Sequence, residues 1–553
     1  MAQTSDTLKR ALSCLQAGQS AEAERLFKKV LRQQPRNIAA LNLLGVLCAS
    51  QRRLADAEKY LKTSIAIDPS SDSTFYNYGV VLKGLGRPRD AIDQFTRALA
   101  INSGVAETWN NRGTALNDDF QPAAALADFD KATALRPDYA EAYSNKANSL
   151  SSLRRFDEAR AQCEKALAIN PRLAETWAGL GRLLFEMNDH DGAKRAFDRA
   201  LDINSALAEA WLGRGHVLVA VRRQREALAD FAAAQARSPE LAEAHFAEAC
   251  CRLAQGDAVG WEKYEWRWKI KDRPPGAAGR FKRPLWLGDR TAAGRTVLLH
   301  AEQGFGDTLQ FCRFAPMVAA AGGTVVLEVQ PALTTLLTGL SSVERVIAAG
   351  DPLPPFDLHC PLGSLPLALR IEAAGCGGGP YLHAADALIE TWRQRLPARG
   401  RPRIGIAWAG NPRFGSDHNR SIGLGAMLPL LTAIDADIIP LQKELREGDA
   451  ALLATHRIEQ VAQHLDDFAD TAALVSCLDL VITSDTSVAH LAGALGCRTW
   501  ILLSHAPDWR WRPDGSTSDW YDSATLFRQA TPGDWDELVG RVAPELRRAF
   551  GTT

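Results

Sequence analysis

Between residues 4 and 241 the large apolar positions of the chain return every 34 residues. Leu41, Phe75, Trp109, Tyr143, Trp177 and Trp211 form one series, and Phe27, Leu61, Phe95, Phe129, Phe197 and Phe231 a second. Gly45, Gly79, Gly113, Gly181 and Gly215 keep the same spacing, with Ala147 and Ala249 as substitutes. So do Ala57, Ala91, Ala125, Ala159, Ala193 and Ala227. Pro35, Pro69, Pro137, Pro171 and Pro239 close units, with Ser103 and Ser205 in the remaining slots. Each unit therefore predicts two helices that cross at small residues, a bulky side chain filling each gap, and a proline ending the second helix. Seven units and a closing helix near 242–255 are expected.

This pattern resembles the tetratricopeptide repeat (TPR) at nearly every signature position. Such an α-helical solenoid carries a concave groove suited to a peptide or partner protein. Asn77, Asn111 and Asn145 fall at one position of successive units and should form a ladder. With both a donor and an acceptor, such amides could grip a peptide backbone, or could bond only to the neighbouring helix.

The period stops after residue 255. The seam, 256–290, holds Trp261, Trp266, Trp268 and Trp286 among basic residues, with Pro274-Pro275-Gly276 inside it. A helix docking the solenoid onto the next domain is the favoured reading over base stacking in nucleic acid. From 291 apolar strands alternate with helices: 295–301, 324–329, 344–349 and 356–362, then 403–410, 437–442, 478–484, 498–504 and 525–529. This alternation predicts two parallel sheets, in domains 291–398 and 399–553, with ligands beyond the carboxyl ends of the strands.

Composition adds exclusions. Lys plus Arg, 64, nearly cancels Asp plus Glu, 65, so no global field recruits nucleic acid or an anionic membrane. No apolar run is long enough to span a bilayer, and the first twenty residues lack a signal-peptide core. The ten cysteines form no CxxC pair, and reduced, mostly buried thiols in a cytoplasmic protein are expected.

Three strand ends carry candidate chemistry. In HAEQGFGDTLQF, 300–311, Gly304 and Gly306 permit a tight turn and close approach to a ligand. Asp307 there could be functional or a helix cap. In WAGNPRFGSDHNRSI, 408–422, Arg413 and Arg420 could clamp phosphates or lie in a solvated loop. In TSDTSVAHLAGALG, 483–496, Asp485 ends a strand, and Thr486, Ser487 and free helix N–H groups could hold a diphosphate. His490, one turn on, is either a ligand contact or a satisfied core residue.

On GFGDTLQF with Pro316 behind it, on WAGNP and on SDTSVAHLAGALG, residues 295–550 resemble the glycosyltransferase family of lipopolysaccharide heptosyltransferases, glycosyltransferase family 9. The whole chain is similar to proteins with tetratricopeptide repeats ahead of such a domain. The resemblance implies a GT-B fold of two Rossmann-like halves, with a final helix, 534–549, crossing back to the first half. It implies inversion at the anomeric carbon without a metal or other cofactor, and Asp435-Ala-Asp437 is not read as a metal site. Asp307 matches the general base, with Gln303, Gly304 and Gly306 as the acceptor-side loop. Asp485, Thr486, Ser487, Val488 and His490 match the donor-binding turn. Arg420 falls near a lysine that holds donor phosphates, and Trp408, Gly410, Asn411 and Gln442 follow donor-side strands. The family's aromatic–proline pair after that lysine is Ser421-Ile422 here, and the 508–522 loop is long and aromatic, so the donor does not carry over. The expected partners are a nucleotide-sugar and a protein acceptor in the groove, by analogy with protein O-GlcNAc transferases, with a glycan or lipid-linked acceptor open. The alternatives are an interaction scaffold that only binds nucleotide-sugar, and an epimerase whose extra catalytic groups find no place here.

Overall fold

The computed structural model describes residues 2–270, 280–372, 378–398, 400–412 and 417–551. Arg413, Pro274, Pro275 and Gly276 lie outside the described residues. The chain divides into two compact units, 1–214 and 215–553. The last repeat helices, Gln224–Arg237 and Ala242–Ala254, fall in the second of these units.

Helices of 13–15 residues run in pairs from Ala2–Gln16 to Gln224–Arg237, and Ala242–Ala254 follows them. The pairing rests on the glycine lattice. A Cβ at Gly79 would lie 2.7 Å from the Phe95 ring, and one at Gly113 2.7 Å from Phe129. Where Ala147 stands for glycine, the residue sixteen positions on is Cys163 instead of a phenylalanine. Small-to-large changes at these glycines would have to displace a buried ring.

A second lattice is set by the backbone. Gly18, Arg52, Gly86, Phe120, Arg154, Asn188, Arg222 and Gly256 are 34 residues apart, and all have positive φ, from 58° to 79°. Each follows the first helix of its pair or, for Gly256, the Ala242–Ala254 helix. At Phe120, for example, Gln121 N–H returns to Leu116 O at 2.8 Å and Phe120 N–H to Asn117 O at 3.0 Å, the Schellman pattern. A left-handed backbone costs an L-residue about 1–2 kcal/mol, and the Phe120 ring is 84% exposed, with little packing in return. Phe120→Gly should therefore stabilise the repeats by about 1 kcal/mol, read as a raised urea midpoint of the repeat transition.

In the second unit every strand is parallel. Strands β1 (Thr296–His300), β2 (Thr324–Val329), β3 (Arg345–Ala348) and β4 (Leu358–Pro361) form one sheet, ordered β3-β2-β1-β4. Strands β5 (Arg403–Ala407), β6 (Asp437–Pro440), β7 (Leu480–Ser484), β8 (Thr499–Leu503) and β9 (Ala524–Arg528) form the other, ordered β6-β5-β7-β8-β9. In both sheets the strand order reverses beside the first strand: between β1 and β4, and between β5 and β7. Crevices at the carboxyl ends of such reversals are where open parallel sheets bind ligands.

The last helix, Trp535–Phe550, does not cross back to the first sheet. Its apolar face, Leu538, Val539, Val542 and Leu546, is buried with Ile404, Ile406, Trp500 and Leu502 of the second sheet. Packing on its own sheet covers strands that would otherwise be exposed on that face.

The aromatic residues of the seam pack within the second unit. Trp261 and Tyr264, on the Val259–Tyr264 helix, meet Trp509 edge-on at 5.5 and 5.8 Å between ring centres. Trp286 is buried in the same core, which includes Val297, Leu299 and Leu327 of the first sheet. Trp266 stacks on His245 at 3.7 Å. Of the nine described cysteines, six are buried and three half-buried. Among the described residues no helix is long and apolar enough to cross a membrane.

Candidate functional site

The candidate residues gather at the two strand reversals. The loop after β1 leads into the Phe305–Phe311 helix, and the turn after β7 into the Ser487–Ala494 helix. The two helices touch: a Cβ on Gly306 would sit 2.7 Å from Cδ2 of His490. The absence of a side chain at Gly306 thus admits the second helix.

His490 resolves toward the core. It is 5% exposed, shares a 2.9 Å hydrogen bond between Nδ1 and Tyr521 Oη, and stacks on Trp511 at 5.3 Å. Burial, with Arg510, Arg313 and Arg420 nearby, pushes its pKa well below the usual histidine range, so the ring is neutral. It locks the two helices together.

Asp307 takes both of its expected roles at once. Its Oδ2 accepts the Gly304 N–H at 3.1 Å, the return half of a helix cap. Its Oδ1 is ion-paired with Nη2 of Arg510. Arg510 also donates from Nε to Gln310 at 2.7 Å and from Nη1 to Asp508 at 2.8 Å, and lies 4.4 Å above the Trp509 ring. Burial alone would weaken its hold on a proton, but Asp508 and Asp307 more than offset this and hold its pKa well above normal. Sequence reading missed Arg510; its signal was the basic residue inside the aromatic DWRW of the 508–522 loop.

Glu302 was also missed, although it lies in the same motif as Asp307. Its carboxylate accepts from Gly363 N–H and Arg267 Nη2, each at 3.2 Å, at the β1–β4 reversal. Burial raises its pKa to about 7, against the pull of Arg267. Gln303 donates from Nε2 to Tyr264 Oη at 3.0 Å, joining the acceptor-side loop to the seam.

On the other side, Thr486 is the N-cap of the Ser487–Ala494 helix. Its Oγ1 accepts the Val488 N–H at 3.3 Å, so that N–H, expected free, is taken. Ser487 and Val488 are half-buried beside it. Asp485 is half-buried as well. Burial and then Asp508 raise its pKa to about 6, opposed by the Trp511 N–H, Arg420 and Arg510. The Trp511 N–H is close enough to act on that carboxylate but makes no hydrogen bond of good geometry.

The raised pKa of Asp485 has a signed consequence. The folded state keeps this proton to about pH 6 while the unfolded chain releases it near 3.8, so stability is fully present below 3.8 and falls as pH rises to 6. Asp485→Asn should raise the melting temperature at pH 7.5, by an amount worth about 2–3 kcal/mol, and leave it unchanged near pH 3.5. Melting curves at the two pH values check this.

The loop after β5 is braced. A Cβ at Gly410 would lie 2.6 Å from both Arg420 Nη2 and Asp417 Oδ1, so glycine admits that pair against the strand end. Arg420 donates to Asp417 at 3.3 Å, and Arg446 pairs with the same carboxylate. Asn411 is exposed. Gln442 accepts the Ala409 N–H at 3.1 Å, tying the ends of β5 and β6. Trp408 corrects an expectation: it is fully buried and donates to Asp449 at 2.8 Å, so it supports the strand end from within the core. Asp435, of the Asp-Ala-Asp sequence, pairs with Arg401 at 2.9 Å.

In the repeats, Asn111 donates to Tyr76 Oη at 3.0 Å and Asn145 to Asn110 Oδ1 at 3.0 Å. Both amide nitrogens therefore bond to the neighbouring helix, the second of the two readings, and Asn77 is half-buried in the same row. A cavity of about 580 Å³ lies elsewhere in the stack, lined by Asn148, Ser151, Arg154, Arg182 and Glu186 among others.

Comparison with known proteins bears on the helical part. Residues 8–72 and 138–206 each match a tetratricopeptide-repeat family. Protein FlbA of Caulobacter vibrioides is 29% identical over 356 residues, covering 58% of this chain and 58% of its own length. The chain thus spans little more than half of that relative. Among solved structures, a tetratricopeptide repeat protein from Parabacteroides merdae is 20% identical, covers 43% of this chain and 94% of its own, and has a TM-score of 0.39. YrrB, described as a TPR protein with an unusual peptide-binding site, is 22% identical, covers 33% of this chain and 95% of its own, with a TM-score of 0.29. Tetratricopeptide repeats commonly bind protein or peptide partners, and the N-terminal region of this chain is a scaffold built of them.

Proposed function

We propose that the chain is an inverting, metal-independent glycosyltransferase of GT-B fold, which moves a sugar from a nucleotide-sugar to a hydroxyl of a protein held by the repeats. The observation that carries this reading is the meeting of the two strand–helix turns, one from each sheet, with Asp307 and Asp485 at their starts and Gly306 against His490. Asp307 takes the acceptor hydroxyl's proton as the oxygen attacks the anomeric carbon. The bond from that carbon to the phosphate oxygen breaks on the opposite face, and the nucleoside diphosphate leaves. Arg420 steadies its charge. The fold and the activity rest on the resemblance together with this geometry.

One observation favours a second reading, a scaffold that binds nucleotide-sugar without turnover: Asp307 is held by Arg510 and by the Gly304 N–H. A thermal-shift screen against UDP-, GDP-, ADP- and dTDP-sugars tests what the two readings share. A donor at about 100 times its Kd should add about 2.7 kcal/mol of stability. No shift with any of them would sink both.

A further inference from the structure

We propose that Arg510, together with Arg420, takes the donor's diphosphate, exchanging the carboxylates of Asp307 and Asp508 for phosphate oxygens and so releasing Asp307 as the base. This rests on the glycosyltransferase reading of the cleft. A guanidinium fork matches carboxylate and phosphate oxygens with the same geometry, so the two carboxylates occupy the positions that phosphate oxygens would fill. Nε, Nη1 and Nη2 of Arg510 are all engaged, on Gln310, Asp508 and Asp307, and the side chain is 10% exposed.

Three polar atoms, Gln310 Nε2, Trp511 Nε1 and Ser484 Oγ, are buried without a hydrogen bond of good geometry. Gln310 is the residue that Arg510 Nε holds, Trp511 acts on Asp485, and Ser484 precedes it. Buried donors left unmade cost free energy, and a ligand rich in acceptor oxygens would satisfy them.

The loop that carries Arg510 is anchored. Arg222 donates to Pro513 O at 2.6 Å and pairs with Asp514, and Arg528 donates to Arg512 O at 2.6 Å. The exchange therefore needs movement of one side chain over the Trp509 ring, with the backbone in place. Proton abstraction is thereby coupled to donor binding, because the guanidinium that pairs with Asp307 leaves it for the diphosphate.

The test is calorimetric titration of the full chain with inorganic pyrophosphate in metal-free buffer. Arg510→Gln should weaken binding at least 10-fold, the loss of charge-assisted hydrogen bonds. Asp307→Asn should tighten it several-fold, because the competing carboxylate is gone. That gain is opposite in sign to what a damaged site gives, and it decides the matter even if Arg510→Gln does not fold. Unchanged or weaker binding by Asp307→Asn, or no pyrophosphate binding by the wild type, overturns the proposal. Failure of the glycosyltransferase reading is separable: pyrophosphate would respond as stated while no nucleotide-sugar shifted the melting temperature.

Discussion

Asp307→Asn is expected to lower sugar transfer by a factor of about 10²–10⁴ while donor binding survives. The amide keeps an oxygen for the Gly304 N–H, so the helix cap and the fold are retained. It cannot take a proton, so the acceptor oxygen would have to attack as the neutral hydroxyl. Steady-state rates at saturating donor, beside titrations with the same donor, separate the two effects. Loss of binding together with rate would make Asp307 a binding group. An unchanged rate would place the chemistry elsewhere in the cleft.

The second large effect concerns stability. Arg267, in the seam, is 1% exposed and is held by Glu265 at 2.6 Å, Ser364 at 2.6 Å, Glu302 at 3.2 Å and the Tyr264 carbonyl at 3.2 Å. It also lies over the rings of Tyr264 and Trp268. Burial opposes its charge, but Glu265 and Glu302 more than compensate and raise its pKa. Arg267→Met fills similar space but strands two carboxylates in a buried site, which should cost about 3–5 kcal/mol. Adding Glu302→Gln should recover part of this loss. Urea unfolding followed by tryptophan fluorescence gives both numbers, and a loss below about 1 kcal/mol would show that the two carboxylates reach solvent without it.

The secondary structure was legible because its periods are strong. Eight of the nine described strands fall inside the segments expected from apolar runs, and the ninth, Ala524–Arg528, starts one residue before its segment. The repeat lattice could be read from Gly79 and Phe95 because a glycine-for-ring exchange recurs at fixed spacing. The left-handed positions were less legible, since Arg52, Arg154 and Arg222 carry no glycine signal although they share the backbone of Gly86.

Site residues separated by what a one-dimensional pattern can contain. Asp307 and Asp485 stand at strand–helix turns, which apolar runs locate directly. Trp408, after β5, and His490, in the helix after β7, face inward, and their hydrogen-bond partners Asp449 and Tyr521 lie 41 and 31 residues away in sequence. Arg510 is paired with a residue 203 positions earlier, so only the folded chain unites them. The last helix was placed on the wrong sheet for the same reason: its amphipathic face shows that it packs, not where.

The central claim is that a nucleotide-sugar lies where the two strand–helix turns meet. Hydrogen exchange of the full chain, with and without the donor that stabilises it most, tests this directly. Slowed exchange is expected at 303–308 and 485–490 together, on the two sheets at once. Protection confined to the repeats, or to neither turn, would contradict it.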